Sequence, residues 1–116
     1  MNDRDCLFCR IVSGEISAEI VHETKETIAF RDIAPQAPVH VLVIPKEHVT
    51  SLETVPVNFQ AVLGELILAV REVAFIEGIE GSGFRTVLNT GPDGGQEVMH
   101  MHAHVIGGRE MVWPPG

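Results

Sequence analysis

The sequence predicts an α+β domain in which a five-stranded antiparallel sheet carries one long helix and one short N-terminal helix. Three observations support this prediction. Short β-rich segments fill the first half of the 116-residue chain, one long helical pattern follows them, and two further β-rich segments come near the end. The length is that of a single domain, so we treat residues 1–116 as one unit.

The first half of the chain predicts a short helix and three strands. Apolar residues in "DCLFCRIVS" (5–13) are spaced as in one or two helical turns. The segments "EIVHE" (19–23) and "TIAFRD" (27–32) indicate a hairpin. "APVHVLVIPKEH" (37–48) is apolar on both faces, which is typical of a central strand, and Pro45 ends it because proline cannot donate to a ladder.

The second half predicts the long helix and two more strands. Apolar residues recur at three- and four-residue steps from 58 to 77, where glycine follows as a stop. "GFRTVLNT" (83–90) predicts a strand and "GPDGGQ" (91–96) a glycine-rich turn. "VMHMHAHVI" (98–106) alternates strictly enough to predict the last strand.

The long helix is apolar beyond one stripe, at Leu68 and Phe75. Such a helix needs a second partner. Either a second copy of the chain or a C-terminal segment folded over the helix satisfies this need. We expect the homodimer, because the chain is short.

The charge balance disfavours nucleic-acid binding. The net charge is −8, aromatic residues make up 5% of the chain, and tyrosine is absent. A local phosphate site stays possible, because backbone N–H groups hold anions without net positive charge. The polar N-terminus and the lack of a long apolar run predict a cytoplasmic protein that does not enter a membrane. Its two cysteines are then reduced thiols or metal ligands rather than a disulfide.

Three histidines stand at alternate positions in "EVMHMHAHVIGG" (97–108): His100, His102 and His104. On a straight strand they share one face, with the outer pair about 13 Å apart at Cα. Zinc–nitrogen bonds are only about 2.1 Å long, so one ion cannot gather all three. A solvated strand face with no chemistry is a second possibility.

A catalytic role is the third and preferred interpretation of the histidines. A neutral imidazole is a good nucleophile or general base near pH 7. The glycine-rich turn that precedes the strand can aim N–H groups at an anion, and Asn89 and Gln96 add amide donors. These are the parts needed to attack a phosphorus atom and to stabilise its developing charge.

The pair "CLFC" (6–9) predicts zinc only where two further ligands exist. No second such pair occurs, so histidines must supply them: His22, His40, His48 or the strand histidines. Two buried free thiols are the alternative. The pair lies at the extreme N-terminus, outside the strand–helix context that a thioredoxin-like redox motif requires.

"HMHAHVIGGRE" resembles the signature of the histidine triad (HIT) family. Together with "RDIAPQAPVHVLVIPKEH", "NTGPDGGQEV" and the terminal "WPPG", it is similar to the Hint branch, the purine nucleoside phosphoramidases. The resemblance runs from about Cys6 to Gly116. It implies a HIT-like fold and a homodimer whose two five-stranded sheets form a continuous ten-stranded sheet.

The resemblance also implies an activity: hydrolysis of the P–N bond of purine nucleoside 5′-phosphoramidates, of the adenosine 5′-monophosphoramidase type. By similarity, His102 is the nucleophile that carries a covalent nucleotidyl intermediate, and His104 assists at the phosphate or leaving group. Asp32 matches the ribose-binding position. The base pocket and the phosphate-facing positions correspond to Phe8, Phe30, Ile33, Asn89, Gly95 and Gln96.

Relatives that carry the cysteine pair are similar in using it, with two histidines, for a structural zinc. The matching positions are Cys6, Cys9, His48 and His100. His22 and His40 match no functional position, so we expect surface or packing roles for them. No organic cofactor is implied.

Two positions and two other functions stay open. Glu97 stands where some relatives place a serine that donates to the phosphate, and an ionised carboxylate cannot donate. Trp113 matches a residue near the partner subunit's leaving-group pocket, or else packs in an exposed tail. The alternative functions are a dinucleoside polyphosphate hydrolase of the Fhit type and a nucleotide-binding regulatory or adaptor protein with incidental catalysis.

Overall fold

The computed structural model describes residues 5–116, and the first four residues of the predicted domain lie outside it. Its regular elements follow the predicted order. They are α1 (Leu7–Val12), β1 (Ile20–Glu23), β2 (Thr27–Arg31), β3 (Val39–Pro45), α2 (Gln60–Ile76), β4 (Phe84–Val87) and β5 (Ala103–Gly107). The long helix starts two residues later than the sequence pattern indicates, because a 3₁₀ turn over Val57–Phe59 precedes it.

The five strands form one sheet in the order β1-β2-β3-β5-β4, and every neighbouring pair is antiparallel. The continuous apolar segment becomes β3, the central strand, and it is buried almost throughout. A central strand has both faces covered, which explains why its apolar residues do not alternate with polar ones. The predicted α+β fold is confirmed.

Each face of the sheet has its own cluster of apolar side chains. On one face, α2 packs its buried stripe against inward-facing sheet residues, including Val41, Val43 and Val105. On the other face, α1 covers residues that alternate with these along the strands, including Phe30 and Leu42. This second face carries the candidate site.

The last strand is shorter than predicted. Regular pairing begins only at Ala103, which lies opposite Val43, so His100 and His102 precede the strand rather than forming part of it. Two positions beyond Val43, β3 reaches Pro45, which has no N–H to donate, and the ladder ends there. The expectation that all three histidines share one straight strand is therefore wrong.

The outer surface of α2 exposes a row of large apolar side chains. Ile67, Leu68, Phe75 and Ile76 are each about half exposed, whereas Leu66 and Val73 on the opposite side are fully buried. The helix therefore has an unpartnered apolar surface within a single chain, as its composition predicts. Across residues 5–116, no helix combines the length and apolar character needed to span a membrane.

Candidate functional site

A cavity of about 810 Å³ opens on the face of the sheet that α1 covers. Cavities of this size accommodate small-molecule ligands. The residues around it come from α1, β2, β3, the loop after β4 and the histidine segment, and they include Phe8, Phe30, Asp32, Ile33, Asn89, Gly95, His102 and His104. Eight of the predicted nucleotide-binding residues therefore surround one space, and Gln96 is not among them.

The base-pocket residues differ in burial. The rings of Phe8 and Phe30 are almost fully buried and meet edge to face, with centroids 5.3 Å apart. Such a pair forms a rigid apolar wall. Ile33 borders the same cavity but is fully exposed, so in a single chain it projects at the rim and covers nothing.

Gln96 holds the glycine-rich loop together instead of facing the cavity. Its side-chain amide donates to the carbonyls of Thr50 and Val98, at 2.7 and 3.1 Å, and its side-chain oxygen accepts from the Gly91 N–H at 3.2 Å. Its own backbone N–H donates to the Gly91 carbonyl. The side chain expected as a phosphate donor is thus fully used within the loop.

Two glycines make this tight loop possible. A Cβ atom at Gly94 would lie 2.2 Å from the Thr90 carbonyl oxygen, which no side chain tolerates, and Gly95 adopts a φ of +77°. The Gly95 N–H donates to the Pro92 carbonyl at 3.1 Å, and Asn89 donates one amide hydrogen to the Gly94 carbonyl at 2.7 Å. Asn89 keeps a second N–H and borders the cavity, so it is the loop's amide donor best placed for an anion.

The tautomer of His102 follows from its partner. Its Nδ1 lies 2.8 Å from the His100 carbonyl oxygen, which can only accept, so Nδ1 carries the proton. Nε2 is then the nitrogen with a free lone pair. The ring is buried, lines the cavity and touches Phe8 edge to face at 5.3 Å. An imidazole fixed in this way is prepared to act as a nucleophile or base through Nε2.

His104 lies beside His102, with ring centroids 5.0 Å apart, and is oriented by His40. The Gln36 backbone N–H donates to His40 Nδ1 at 3.0 Å, so His40 carries its proton on Nε2. The His40 Nε2–H then donates to His104 Nδ1 at 2.8 Å. His104 therefore holds its own proton on Nε2 and is a hydrogen-bond donor there.

Burial lowers the pKa of His104 to about 4. This value includes the effect of the nearby imidazoles of His102 and His40, which also lower the pKa, and of the carboxylate of Asp32, which partly opposes them. Near pH 7 His104 is therefore neutral. It can donate a hydrogen bond to an anion, but it is not an imidazolium.

His40 is the site residue that the sequence analysis missed. It was expected to have a surface or packing role, yet it is buried, contacts His104 and lies 3.5 Å from an oxygen of Asp32. A signal was available in the sequence. His40 is the only polar residue in the apolar run of the central strand, and buried polar groups need partners.

A second cluster lies behind the cavity and contains the four predicted metal ligands. We call Cys6, Cys9, His48 and His100 the thiol cluster; their ligand atoms all lie within 4.8 Å of one another. His100 Nδ1 is 3.2 Å from Cys6 Sγ, 3.5 Å from Cys9 Sγ and 3.2 Å from His48 Nδ1. Zinc bonds of about 2.3 Å to sulfur and 2.0–2.1 Å to nitrogen place tetrahedral ligands about 3.3–3.8 Å apart, close to these distances.

The tautomer of His100 also suits a metal. Its Nε2 donates to the Pro45 carbonyl at 2.8 Å, so Nδ1, the atom that faces the sulfurs, has no proton. A ligating histidine typically donates its other N–H to a carbonyl in this way. Four electron-rich atoms converge at the thiol cluster, and one cation satisfies all of them. The residues present fit a structural zinc.

Asp32, His40 and His104 form another compact group, which we call the carboxylate cluster. It does not suit a metal. His40 would have to ligate through Nε2, but the Gln36 N–H occupies Nδ1 and therefore keeps the proton on Nε2. The carboxylate cluster is ordered by the hydrogen bonds from Gln36 to His40 and from His40 to His104, with Asp32 beside His40, and it is not a cation site.

Two residues at the rim were left open by the sequence. Glu97 is exposed and borders the cavity. Trp113 is 81% exposed and does not border the cavity within the single chain.

Comparison with known proteins gives a consistent result. The HIT domain family model matches residues 13–111, a range that begins after both cysteines. An uncharacterized HIT-like protein of Synechococcus elongatus is 52% identical over 112 residues, and the match covers 97% of each chain. A 14 kDa zinc-binding protein of Brassica juncea is 46% identical over 114 residues, covering 97% of this chain and 100% of that protein.

The fold has a close counterpart among solved structures. The crystal structure of a HIT family hydrolase from Legionella pneumophila aligns with a TM-score of 0.94 at 46% sequence identity. The alignment covers 97% of this chain and 100% of that one. At this level of identity the similarity extends beyond the fold to the family.

Proposed function

This chain belongs to the HIT family, and on that premise we propose that it hydrolyses the P–N bond of purine nucleoside 5′-phosphoramidates. The observation that carries the proposal is the fixed tautomer of His102. Because its Nδ1–H is held by the His100 carbonyl, the cavity-lining ring presents Nε2 as an unprotonated nucleophile.

The reaction proceeds in two displacements. His102 Nε2 attacks the phosphorus, a nitrogen–phosphorus bond forms to the ring, and the substrate's own P–N bond breaks. The departing nitrogen takes a proton from water and leaves as an amine. Water then attacks the phosphorus, the bond to His102 breaks, a nucleoside monophosphate leaves, and the remaining proton passes to solvent.

Neighbouring donors stabilise the charge that develops on the phosphate oxygens. His104 donates through Nε2, and His40 keeps it in that tautomer. Asn89 adds an amide N–H from the loop. These groups are fixed before substrate arrives, so little reorganisation is needed when the charge appears.

The rest of the cavity suits a purine nucleoside. Phe8 and Phe30 offer an apolar wall for the base. Asp32 accepts from the backbone N–H of Ala34 at 2.8 Å through one oxygen, so the other is available to a ribose hydroxyl. The name of the Brassica relative and the fit of the thiol cluster support a structural zinc on Cys6, Cys9, His48 and His100.

We also propose that the chain forms a homodimer. The apolar surface of α2 around Leu68 and Phe75 is large and unpartnered, and β4 is an open edge strand through which two sheets could pair into ten strands. Light scattering at micromolar concentration should give twice the chain mass. A stable monomer would contradict the proposal.

The activity is tested with a fluorogenic adenosine phosphoramidate. The variant His102→Ala should lose at least about 10³-fold in kcat/KM, because no other group supplies the nucleophile. His22→Ala is a matched control, since His22 belongs to neither cluster and does not border the cavity. An unchanged rate in His102→Ala would rule out the assignment.

A substrate panel separates the competing functions. Preferential cleavage of a dinucleoside polyphosphate would favour the Fhit type of activity. Tight nucleotide binding with no turnover of any P–N or P–O substrate would favour a regulatory or adaptor protein. Faster cleavage of phosphoramidates than of polyphosphates supports the proposal.

A further inference from the structure

We infer that the thiol cluster positions His102, so that the metal site controls the nucleophile as well as stabilising the fold. This inference rests on the proposed function, in which His102 attacks the phosphorus. The structural basis is that His100 takes part in both sites: its ring belongs to the thiol cluster, and its carbonyl accepts from His102 Nδ1.

The segment that carries the nucleophile lies outside the sheet ladder. Regular pairing of β5 begins at Ala103, so cross-strand hydrogen bonds do not fix the backbone at His100 and His102. Other contacts must hold it there. The position of the His100 carbonyl, and with it the tautomer of His102, therefore depends on two anchors: the hydrogen bond of the Met101 N–H, which belongs to the same peptide unit, and the contacts of the His100 ring.

The anchors of this segment converge on the thiol cluster. The His100 ring donates to the Pro45 carbonyl at 2.8 Å and contacts both cysteines. The Met101 N–H donates to the carbonyl of Val49 at 2.7 Å, and Val49 directly follows the ligand His48. A cation shared by His48 and His100 would join the stretch at 48–49 to the stretch at 100–101, which directly precedes the nucleophile.

Phe8 provides a second connection between the two sites. It lies in α1 between Cys6 and Cys9, and its ring touches both His100 (5.9 Å) and His102 (5.3 Å). The same ring lines the cavity. The two thiols determine where α1 sits, and α1 determines where Phe8 presses against the nucleophile.

Without a cation the His100 ring is held less firmly. Its Nδ1 then meets Cys6 Sγ at 3.2 Å and Cys9 Sγ at 3.5 Å, and Cys6 Sγ also accepts the Cys9 backbone N–H at 3.3 Å. A thiol is a weak hydrogen-bond donor, so these contacts restrain the ring less than a bond to a shared cation would. Movement of the His100 ring then shifts its carbonyl and frees His102 to adopt its other tautomer.

His48→Ala is the test variant, because the His48 side chain is connected to His102 only through the other members of the thiol cluster. We expect it to lose zinc, to change the ¹⁵N shifts of the His102 ring nitrogens toward the Nε2–H tautomer, and to lower the single-turnover rate about 10–100-fold. The Kd for AMP should change less than about threefold, because the nucleotide-binding walls stay in place. His48→Cys keeps four ligands and should restore both zinc and rate.

Val12→Ala is the matched control, since Val12 packs in the same apolar cluster as Cys6 but contributes no ligand and does not border the cavity. It should keep zinc, tautomer and rate. The inference is overturned if zinc-free protein keeps the Nδ1–H tautomer and the wild-type rate. It is also overturned if zinc removal simply unfolds the chain, because the metal then supports the whole fold and not His102 in particular.

The proposed function fails separately. If the wild type cleaves no phosphoramidate at all, that function is wrong. The zinc-dependent change in the His102 ¹⁵N shifts still decides whether the thiol cluster positions this residue.

Discussion

Two compact clusters, each with two histidines, flank His102, yet their chemistry differs because of one backbone contact in each. In the thiol cluster, the Pro45 carbonyl accepts a hydrogen bond from His100 Nε2–H, which leaves His100 Nδ1 unprotonated. In the carboxylate cluster, the Gln36 backbone N–H donates to His40 Nδ1 and so keeps the proton of His40 on Nε2. The first arrangement suits a cation, and the second directs a hydrogen bond to His104.

The comparison teaches that ligand type and spacing are not enough to identify a metal site. Both groups bring at least three potential ligands within 4.8 Å. What separates them is whether the facing nitrogens are donors or acceptors, and backbone groups outside the clusters decide that. His102 lies between the two clusters, its proton held on the thiol side and its ring against His104 on the other.

The largest effect is expected from removing both thiols. A Cys6→Ser, Cys9→Ser variant should bind no zinc even with excess metal, because the carboxylate cluster cannot replace the lost ligands. The free energy of unfolding should fall by about 4 kcal/mol under conditions where free zinc exceeds the wild-type Kd a thousandfold. Urea unfolding and elemental analysis measure the two quantities. One zinc per chain in this variant, removed by Asp32→Asn, would contradict the comparison.

The next effect concerns His40. The His40→Ala variant leaves His104 Nδ1 without its donor, so the tautomer of His104 is no longer fixed. We expect phosphoramidase kcat/KM to fall about 100-fold, within the range for loss of one fixed hydrogen-bond donor to a developing anion, while zinc content stays unchanged. His22→Ala should match the wild type in both measurements. If His40→Ala loses zinc, the two clusters are not the separate units that their hydrogen bonds indicate.

A third effect is the pH response of His104. Its pKa of about 4 lies below the ordinary value of about 6.5, so the folded chain takes up this proton less readily than the unfolded one. The free energy of unfolding therefore decreases as the pH falls from about 6.5 to about 4, and this contribution is complete above that window. NMR of the His104 ring should show a midpoint near 4, and urea-unfolded protein a midpoint near 6.5. A midpoint of 6.5 or higher in the folded protein would show that burial does not keep His104 neutral.

The sequence predicts the fold and most of the site, for reasons that can be traced to particular residues. Apolar periodicity locates α2 and β3 within a few residues, because burial alone determines those patterns. The motif positions bring His102, His104 and Asp32 to one cavity. What local pattern could not predict depends on tertiary hydrogen bonds.

Three residues illustrate that limit. The start of β5 depends on Pro45, which is far away in sequence and lies opposite the histidine segment only in the folded sheet. The role of His40 depends on the backbone N–H of Gln36 and on His104, which lies 64 positions away on the neighbouring strand. The side-chain amide of Gln96 donates to the carbonyls of Thr50 and Val98. The spacing of residues in the glycine-rich turn does not show that these carbonyls compete with a phosphate for the amide.

The smallest effect is expected at Glu97, the rim carboxylate outside both clusters. It is exposed and borders the cavity, so it can meet the leaving group of a bound substrate. An exposed ion pair contributes about 0.2–1 kcal/mol, so Glu97→Gln should lower kcat/KM by up to about fivefold for a phosphoramidate whose leaving group carries a second, cationic amine. The rate for a neutral leaving group should not change, and the effect should shrink in high salt.

Glu80→Gln removes one negative charge away from the cavity and controls for net charge. Equal losses for cationic and neutral leaving groups would mean that Glu97 acts on the phosphate or on the fold. Glu97 would then not select the leaving amine by its charge.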